Sequence, residues 1–177
     1  MRIGLARHFP VSEPWPAGWR TSAELQEWRE RYDIAAVDPF PVPDETERWS
    51  RCYTSDLPRA QTTAQAMFRG EITSLELLRE ASFGPFGTGG LRLPVWAWRK
   101  VIRLAWLAGH ASQKHLRDDF FTRVRSMADL IETHREDLLL ISHAGMMMHL
   151  RRELVRRGFR GPRIGFAQHA RVYEMTR

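Results

Sequence analysis

Leu138-Leu139-Leu140-Ile141-Ser142 is apolar at four consecutive positions and then turns polar, running on into His143-Ala144-Gly145. A strand with one face in water alternates apolar and polar residues. An unbroken apolar run of this length belongs to a strand buried on both faces, as in a parallel sheet between layers of helices. Residues 146–157 then return to a helical pattern. The start of the chain repeats the theme, with Ile3-Gly4-Leu5-Ala6 closing on Arg7-His8, so residues 2–8 also read as a short buried strand.

Outward from these two runs, strands and helices alternate. Residues 10–19 hold Pro10, Pro14, Pro16 and Gly18 and read as loop. Thr21 or Ser22 caps a helix through about Tyr32, with Glu24 in its first turn. Residues 38–44, with Pro39, Pro41 and Pro43, are again loop. A strand follows near 51–54, and a helix from Leu57 to about Phe68 has Pro58 in its first turn. Residues 72–78 read as extended, residues 84–90 as a glycine-rich loop, and residues 95–107 and 116–133 as helices. Residues 171–175 form a last strand. The alternation predicts an α/β fold, a three-layer sandwich around a mostly parallel sheet. Neither a repeat nor a composition break divides the chain, so residues 1–177 are read as a single domain.

Bulk properties narrow the function. Of 177 residues 43% are hydrophobic, enough for a folded core. The net charge is +6, and Lys occurs only at Lys100 and Lys114 among 27 cations. Arg grips phosphate and carboxylate through its planar fork, which fits an anionic partner, although a codon preference gives the same bias. Cys52 is the single cysteine, so no internal disulfide forms and a reducing compartment is expected. No apolar run is long enough to span a membrane, and the N-terminal one meets Arg7 too early for a secretory signal. A cytoplasmic protein without a membrane partner is the expectation.

In sheets of this kind functional groups gather beyond the carboxyl ends of the strands. His8, Ser55 and His143 each follow a predicted strand, and Arg7 and Arg59 lie beside them. Two imidazoles and two guanidiniums at one sheet edge suit phosphoryl transfer through a phosphohistidine. Each residue also has a plainer reading. His8 and His143 could cap a sheet edge, Arg59 could lie on a solvated helix face, and Ser55 reads better as a helix N-cap aiming the helix terminus at a phosphate than as a reactant.

Four segments, taken in order, resemble the histidine phosphatase superfamily, the phosphoglycerate mutase-like fold. They are Leu5-Ala6-Arg7-His8, the stretch Tyr53-Thr54-Ser55-Asp56-Leu57-Pro58-Arg59-Ala60-Gln61-Thr62-Thr63-Ala64, Leu78-Arg79-Glu80 with Phe83-Gly84, and Ile141-Ser142-His143-Ala144-Gly145. Each match alone is weak, but their order from residue 5 to residue 145 is specific. The resemblance implies that His8 is the nucleophile and that Arg7, Arg59 and His143 hold the phosphoryl group. It implies that Glu80, rather than the nearby Glu76, protonates the leaving alcohol and then activates water. Neither a metal nor a cofactor is implied.

The sequence departs from that pattern as well. Phe9 stands where a Gly is common, and Pro10 and Pro14 replace polar residues that help hold phosphate. Ser12 is the candidate replacement. Cys52 and Arg59 are separated by six residues, one too many for a cysteine-dependent phosphatase, and Cys52 reads as a buried strand residue. His110, His115, His134, His149 and His169 lack metal-ligand spacing and read as surface or helix residues. Trp96, Trp98 and Trp106 read as core first and as a substrate wall second. Arg151, Arg152, Arg156, Arg157, Arg160 and Arg163 read as a solvated helix face, then as an anion patch, with nucleic acid last because no recognition motif accompanies them.

The reading that unites these features is a phosphomonoester hydrolase acting on a small phosphorylated substrate. The alternatives are a phosphotransferase or mutase with the same intermediate, and a non-catalytic relative that binds phosphorylated ligands. A nucleic-acid-binding module is the reading from a different class. Substrate specificity is expected in residues 10–20 and 85–120.

Overall fold

The computed structural model describes residues 1–42 and 46–177. In chain order the first elements are β1 (Arg2–Arg7), β2 (Trp19–Arg20), α1 (Ser22–Ile34), β3 (Arg51–Ser55), α2 (Pro58–Met67) and β4 (Ile72–Leu75). They are followed by β5 (Leu93–Pro94), α3 (Val95–Ala108), α4 (Ala111–Thr133), β6 (Leu138–Ser142), α5 (Ala144–Arg156) and β7 (Val172–Thr176). Residues 38–42 are irregular, as the prolines require, while Pro43 and Asp44 of that stretch lie outside the described residues.

Five strands form the central sheet in the order β4-β3-β6-β1-β7. β6 is paired in parallel on both sides, with Leu140 opposite Leu5 on one side and Tyr53 on the other. β4 is parallel to β3, and β7 alone is antiparallel, beside β1. The four-residue apolar run of β6 is explained by this position. Leu138 and Leu140 enter one core with Ile3, Leu5, Phe120, Met127, Ile131 and Leu150. Leu139 and Ile141 point the other way, among Ala6, Cys52, Ala60, Ala64 and Met67. Helices α4 and α5 therefore cover one face and α2 the other.

The α2 face packs small residues such as Ala6, Ala60 and Ala64 beside large ones such as Trp49 and Phe68, and Gly4 lies under Trp49. A β-carbon there would meet the Trp49 ring at 2.7 and 2.8 Å. The indole lies directly on the strand, which only a glycine permits.

Several boundaries differ from the sequence expectation. Thr21 is the N-cap of α1 and forms a full capping box, its N–H donating to Glu24 Oε2 at 2.6 Å and its hydroxyl accepting from the Glu24 N–H at 3.2 Å. The extended segment after Gly70 ends at Leu75, and a 3-10 turn over Glu76–Leu78 follows. That turn drives Leu78 into the core, where it is fully buried. α4 begins at Ala111, five residues earlier than the periodicity suggests. Its cap is the His110 ring, whose Nδ1 accepts from the Ser112 N–H at 3.3 Å. The two-residue pair β2–β5 was not expected. It ties the loop after β1 to the start of α3, and the Trp98 indole reinforces it by donating to the Arg20 carbonyl at 2.7 Å. Among the described residues no helix is long and apolar enough to cross a membrane.

Candidate active site

The carboxyl ends of β1 and β6 lie side by side, and the ladder between them continues one residue past β1, with His8 N–H donating to the Ser142 carbonyl at 2.9 Å. This register brings His8 and His143 together, with ring centroids 5.0 Å apart. Both rings are buried.

The hydrogen bonds fix the tautomer of each ring. His8 Nδ1 lies 2.6 Å from the Phe9 carbonyl, which can only accept, so Nδ1 carries the proton and Nε2 presents its lone pair. Burial holds this imidazole well below its ordinary pKa, and the charges of Arg59 and Arg7 add to the effect. His143 is the reverse case. Arg59 Nε donates to its Nδ1 at 3.4 Å, leaving Nε2–H to donate to Ser55 Oγ at 3.0 Å. Burial, then His8 and Arg59, hold His143 neutral too.

Arg59 sits in the first turn of α2 and is only 2% exposed. α1 holds it from the other side. Its Nη1 donates to Asp33 Oδ1 at 3.0 Å, and its guanidinium lies 4.9 Å from the Tyr32 ring centroid. Thr63 locks the same turn to β1, accepting from the Phe9 N–H at 2.8 Å and donating to the Arg59 carbonyl at 2.7 Å. Phe9 thus serves the core, at the position where the sequence departs from the family pattern. Arg7 donates from Nη1 to the Ala167 carbonyl at 3.1 Å, with its guanidinium 5.7 Å from the Phe166 ring. Its Nε is buried with no hydrogen-bond partner among the described residues. An orphaned donor of this kind costs on the order of 1–3 kcal/mol unless an acceptor arrives.

Glu80 closes the edge from the α5 side. Its Oε2 accepts from the Gly145 N–H at 2.9 Å, and its Oε1 accepts from the N–H groups of Met146 at 3.0 Å and Ala81 at 2.9 Å. The carboxylate therefore rests on the free N–H groups that open α5, a favourable place for negative charge. The segment carrying it is pinned at three points. Ser142 Oγ donates to the Leu78 carbonyl at 2.7 Å, Arg123 donates to the Arg79 carbonyl at 2.7 Å, and Arg79 pairs with Asp56. Glu76 instead points outward, with its side chain 73% exposed and paired to Arg79. That geometry separates the two carboxylates the sequence left adjacent.

His8, Arg7, Arg59, His143 and Glu80 are thus brought together from four segments. Ser12 is not among them. It is exposed, its hydroxyl donates to Asp38 Oδ1 at 2.7 Å, and no hydrogen bond joins it to the cluster among the described residues. Ser55 is not a helix cap either. Leu57 holds that position, and Ser55 Oγ, which accepts from the Leu57 N–H at 3.4 Å, is also the partner of His143.

Three residues enter that sequence reasoning passed over. Tyr32 and Asp33 hold Arg59. His169, set aside with the other histidines, donates from Nδ1 to the His8 carbonyl at 2.5 Å, with its ring 5.5 Å from that of His8. No spacing or motif marks any of them, because each reaches the site from a distant element.

The remaining candidates resolve into structure. Cys52 is fully buried, and burial pushes its thiol up to about 12. Arg156 and Arg157 are held by Glu153, Asp129 and Glu132, and Arg151 donates to carbonyls of the following loop. His134 meets the Tyr53 hydroxyl at 2.9 Å. Trp98 and Trp106 are packed inside, whereas Trp96 is 63% exposed.

This arrangement can seat a tetrahedral oxyanion. The His143 ring and the guanidiniums of Arg59 and Arg7 lie near the His8 ring, and the Glu80 carboxylate lies near enough to Arg7 to act on its charge. Comparison with known proteins agrees with the architecture. The model of the histidine phosphatase superfamily (branch 1) matches residues 44–176. The match takes in Arg59, Glu80 and His143 and begins after Arg7-His8, which the sheet places in register with it. No curated protein sequence matches the chain significantly. Among solved structures, the alpha-ribazole phosphatase of Shigella flexneri superimposes with a TM-score of 0.52 at 19% identity, over 88% of this chain and 80% of that one. The phosphoserine phosphatase of Entamoeba histolytica, in complex with 3-phosphoglyceric acid, gives 0.54 at 16% identity over the same shares. At these identities the likeness is one of fold.

Proposed function

We propose that this chain, which belongs to the histidine phosphatase superfamily, hydrolyses a small phosphomonoester through a phosphohistidine on His8. The observation that carries the reading is the state of His8. It is buried and neutral, with Nδ1–H tied to the Phe9 carbonyl and Nε2 free beside Arg59 and His143.

In the first step Nε2 attacks phosphorus and the bond from phosphorus to the ester oxygen breaks. The departing oxygen takes a proton from Glu80, which ends as a carboxylate on the α5 N–H groups. Charge developing on the phosphoryl oxygens is met by Arg7 and Arg59, already held in place, and by His143. His143 reaches the phosphoryl oxygens by turning its Nε2–H from Ser55. In the second step Glu80 takes a proton from water, the oxygen of that water attacks phosphorus, and the N–P bond breaks. Inorganic phosphate leaves and His8 returns neutral, with Glu80 protonated for the next cycle. The superfamily membership supports this route, as does the buried unpaired Nε of Arg7, a donor awaiting an acceptor.

The test is hydrolysis of a generic aryl phosphate with a metal chelator present, comparing wild type with His8→Ala. Chelator-resistant turnover lost in the variant is expected. Turnover unchanged in His8→Ala would overturn the mechanism. A folded wild type that binds phosphate and never turns over an ester would favour a phospholigand-binding relative.

A further inference from the structure

Beside Glu80 lies a cavity of about 680 Å³, in the size range of sites for small organic ligands. It meets the catalytic edge at Ala81 and Gly145, whose N–H groups both hold the Glu80 carboxylate. In the proposed reaction the leaving alcohol departs toward Glu80, opposite His8. The cavity therefore begins where the alcohol part of the ester must go.

Its lining has two characters. Part of it is aromatic: Trp28 and Trp98 are buried, while Trp15 and Trp96 are 59% and 63% exposed, with the Arg99 guanidinium 5.1 Å from the Trp15 ring and Lys100 Nζ 5.2 Å from the Trp96 ring. The exposed indole surface of these two residues favours a flat apolar guest, and the cations beside it favour one that carries negative charge. Two further cations complete the lining. Arg103 and Arg152 line it, and neither has a carboxylate partner among the described residues. No Asp or Glu is found in the lining among those residues. The same two guanidiniums lower the pKa of His149, also in the wall, although burial is the larger cause.

We infer that this cavity binds the alcohol part of the substrate, and that this part is a planar apolar body carrying a second anionic group. The planar body lies among Trp15, Trp28, Trp96 and Trp98, and the anion meets Arg103 and Arg152. The inference rests on the phosphatase reading above, because it is the ester's leaving group that occupies the space.

The experiment compares naphthyl phosphate, a carboxynaphthyl phosphate and a small alkyl phosphate on wild type, Trp96→Ala and the double variant Arg103→Gln/Arg152→Gln. Circular dichroism confirms that each is folded. Wild type is expected to favour the carboxylated aryl ester over the plain one by about tenfold, mainly through KM, as one charge-assisted contact provides. The double variant loses that preference, and Trp96→Ala weakens both aryl esters relative to the alkyl ester. Equal kcat/KM for the two aryl esters in wild type, or a preference that survives in the double variant, would overturn the inference. A second measurement separates it from the phosphatase reading. Binding of the free carboxynaphthol to His8→Ala is followed by tryptophan fluorescence and is expected to need Arg103 and Arg152. Such binding without turnover of any ester would overturn the phosphatase reading alone, whereas turnover without such binding would overturn the cavity assignment alone.

Discussion

The Glu80 carboxylate lies against Gly145 so closely that a β-carbon at 145 would come within 2.5 Å of Oε1, while the Gly145 N–H donates to Oε2 at 2.9 Å. The glycine after His143-Ala144 is therefore needed for space. It lets a carboxylate from another segment sit on the N–H groups of α5. Gly145→Ala is expected to keep the fold and displace Glu80, lowering kcat for an aryl phosphate by about tenfold or more, as the loss of a positioned proton carrier does. Steady-state kinetics alongside circular dichroism checks this, and unchanged kcat in the folded variant would refute the packing argument.

Asp33 balances the buried charge of Arg59 at 3.0 Å. Removing one partner of such a pair leaves the other uncompensated, which is strongly destabilising. Asp33 is 27% exposed, so solvent relieves part of the cost, and Asp33→Ala should lose about 3 kcal/mol. Urea denaturation measures the loss. Inorganic phosphate should restore more stability to the variant than to wild type, because it reaches the freed guanidinium.

Stability should also depend on pH in a definite direction. His8 and His143 are held neutral in the fold by burial, followed for His143 by its neighbour His8 and for His8 by Arg59. The unfolded chain takes up protons on these rings near pH 6.5, the ordinary imidazole value, while the folded chain does not. Their contribution is complete above about pH 6.5 and is lost as pH falls below it toward the lowered folded values. Thermal melts from neutral to mildly acid pH should show a falling Tm, with a shallower slope in His8→Gln. An equal slope in the two proteins would count against a buried neutral His8.

Ser12 and Ser55 should behave oppositely. Ser12 is exposed and bonded to Asp38, so Ser12→Ala should leave kcat and KM within about twofold, as surface changes do. Ser55 Oγ is the partner of His143 Nε2. Ser55→Ala leaves a buried N–H unsatisfied and should lower kcat by about tenfold. Kinetics on the two variants side by side decides the matter.

How much of this was legible in the sequence follows from the range of the forces involved. The burial of β6 on both faces was legible, since four consecutive apolar residues have no other stable place. The capping of α1 could be read from Thr21 and Glu24, because a capping box is local. His8, Arg59, Glu80 and His143 could be picked out because each sits in a short recognisable segment. The hold of Asp33 on Arg59 and of His169 on His8 could not be read, since those contacts are fixed only when distant elements pack. Ser55 shows the opposite error. A local rule named it a cap, but the cap position falls at Leu57, and the Ser55 hydroxyl meets the Leu57 N–H at 3.4 Å and His143 at 3.0 Å, a tertiary contact. His110 escaped notice because an imidazole is not among the residues that usually cap a helix.

The central claim is that phosphate passes through His8. The most direct measurement is mass spectrometry of Glu80→Gln mixed with an aryl phosphate whose phenolate leaves without a proton and quenched in base, where phosphohistidine survives. The variant can still be phosphorylated and can no longer activate water, so one phosphoryl group should accumulate on His8 and be absent when His8→Ala is added. Turnover with no phosphoryl group on His8, or a phosphoryl group that persists in the His8→Ala background, would contradict the account.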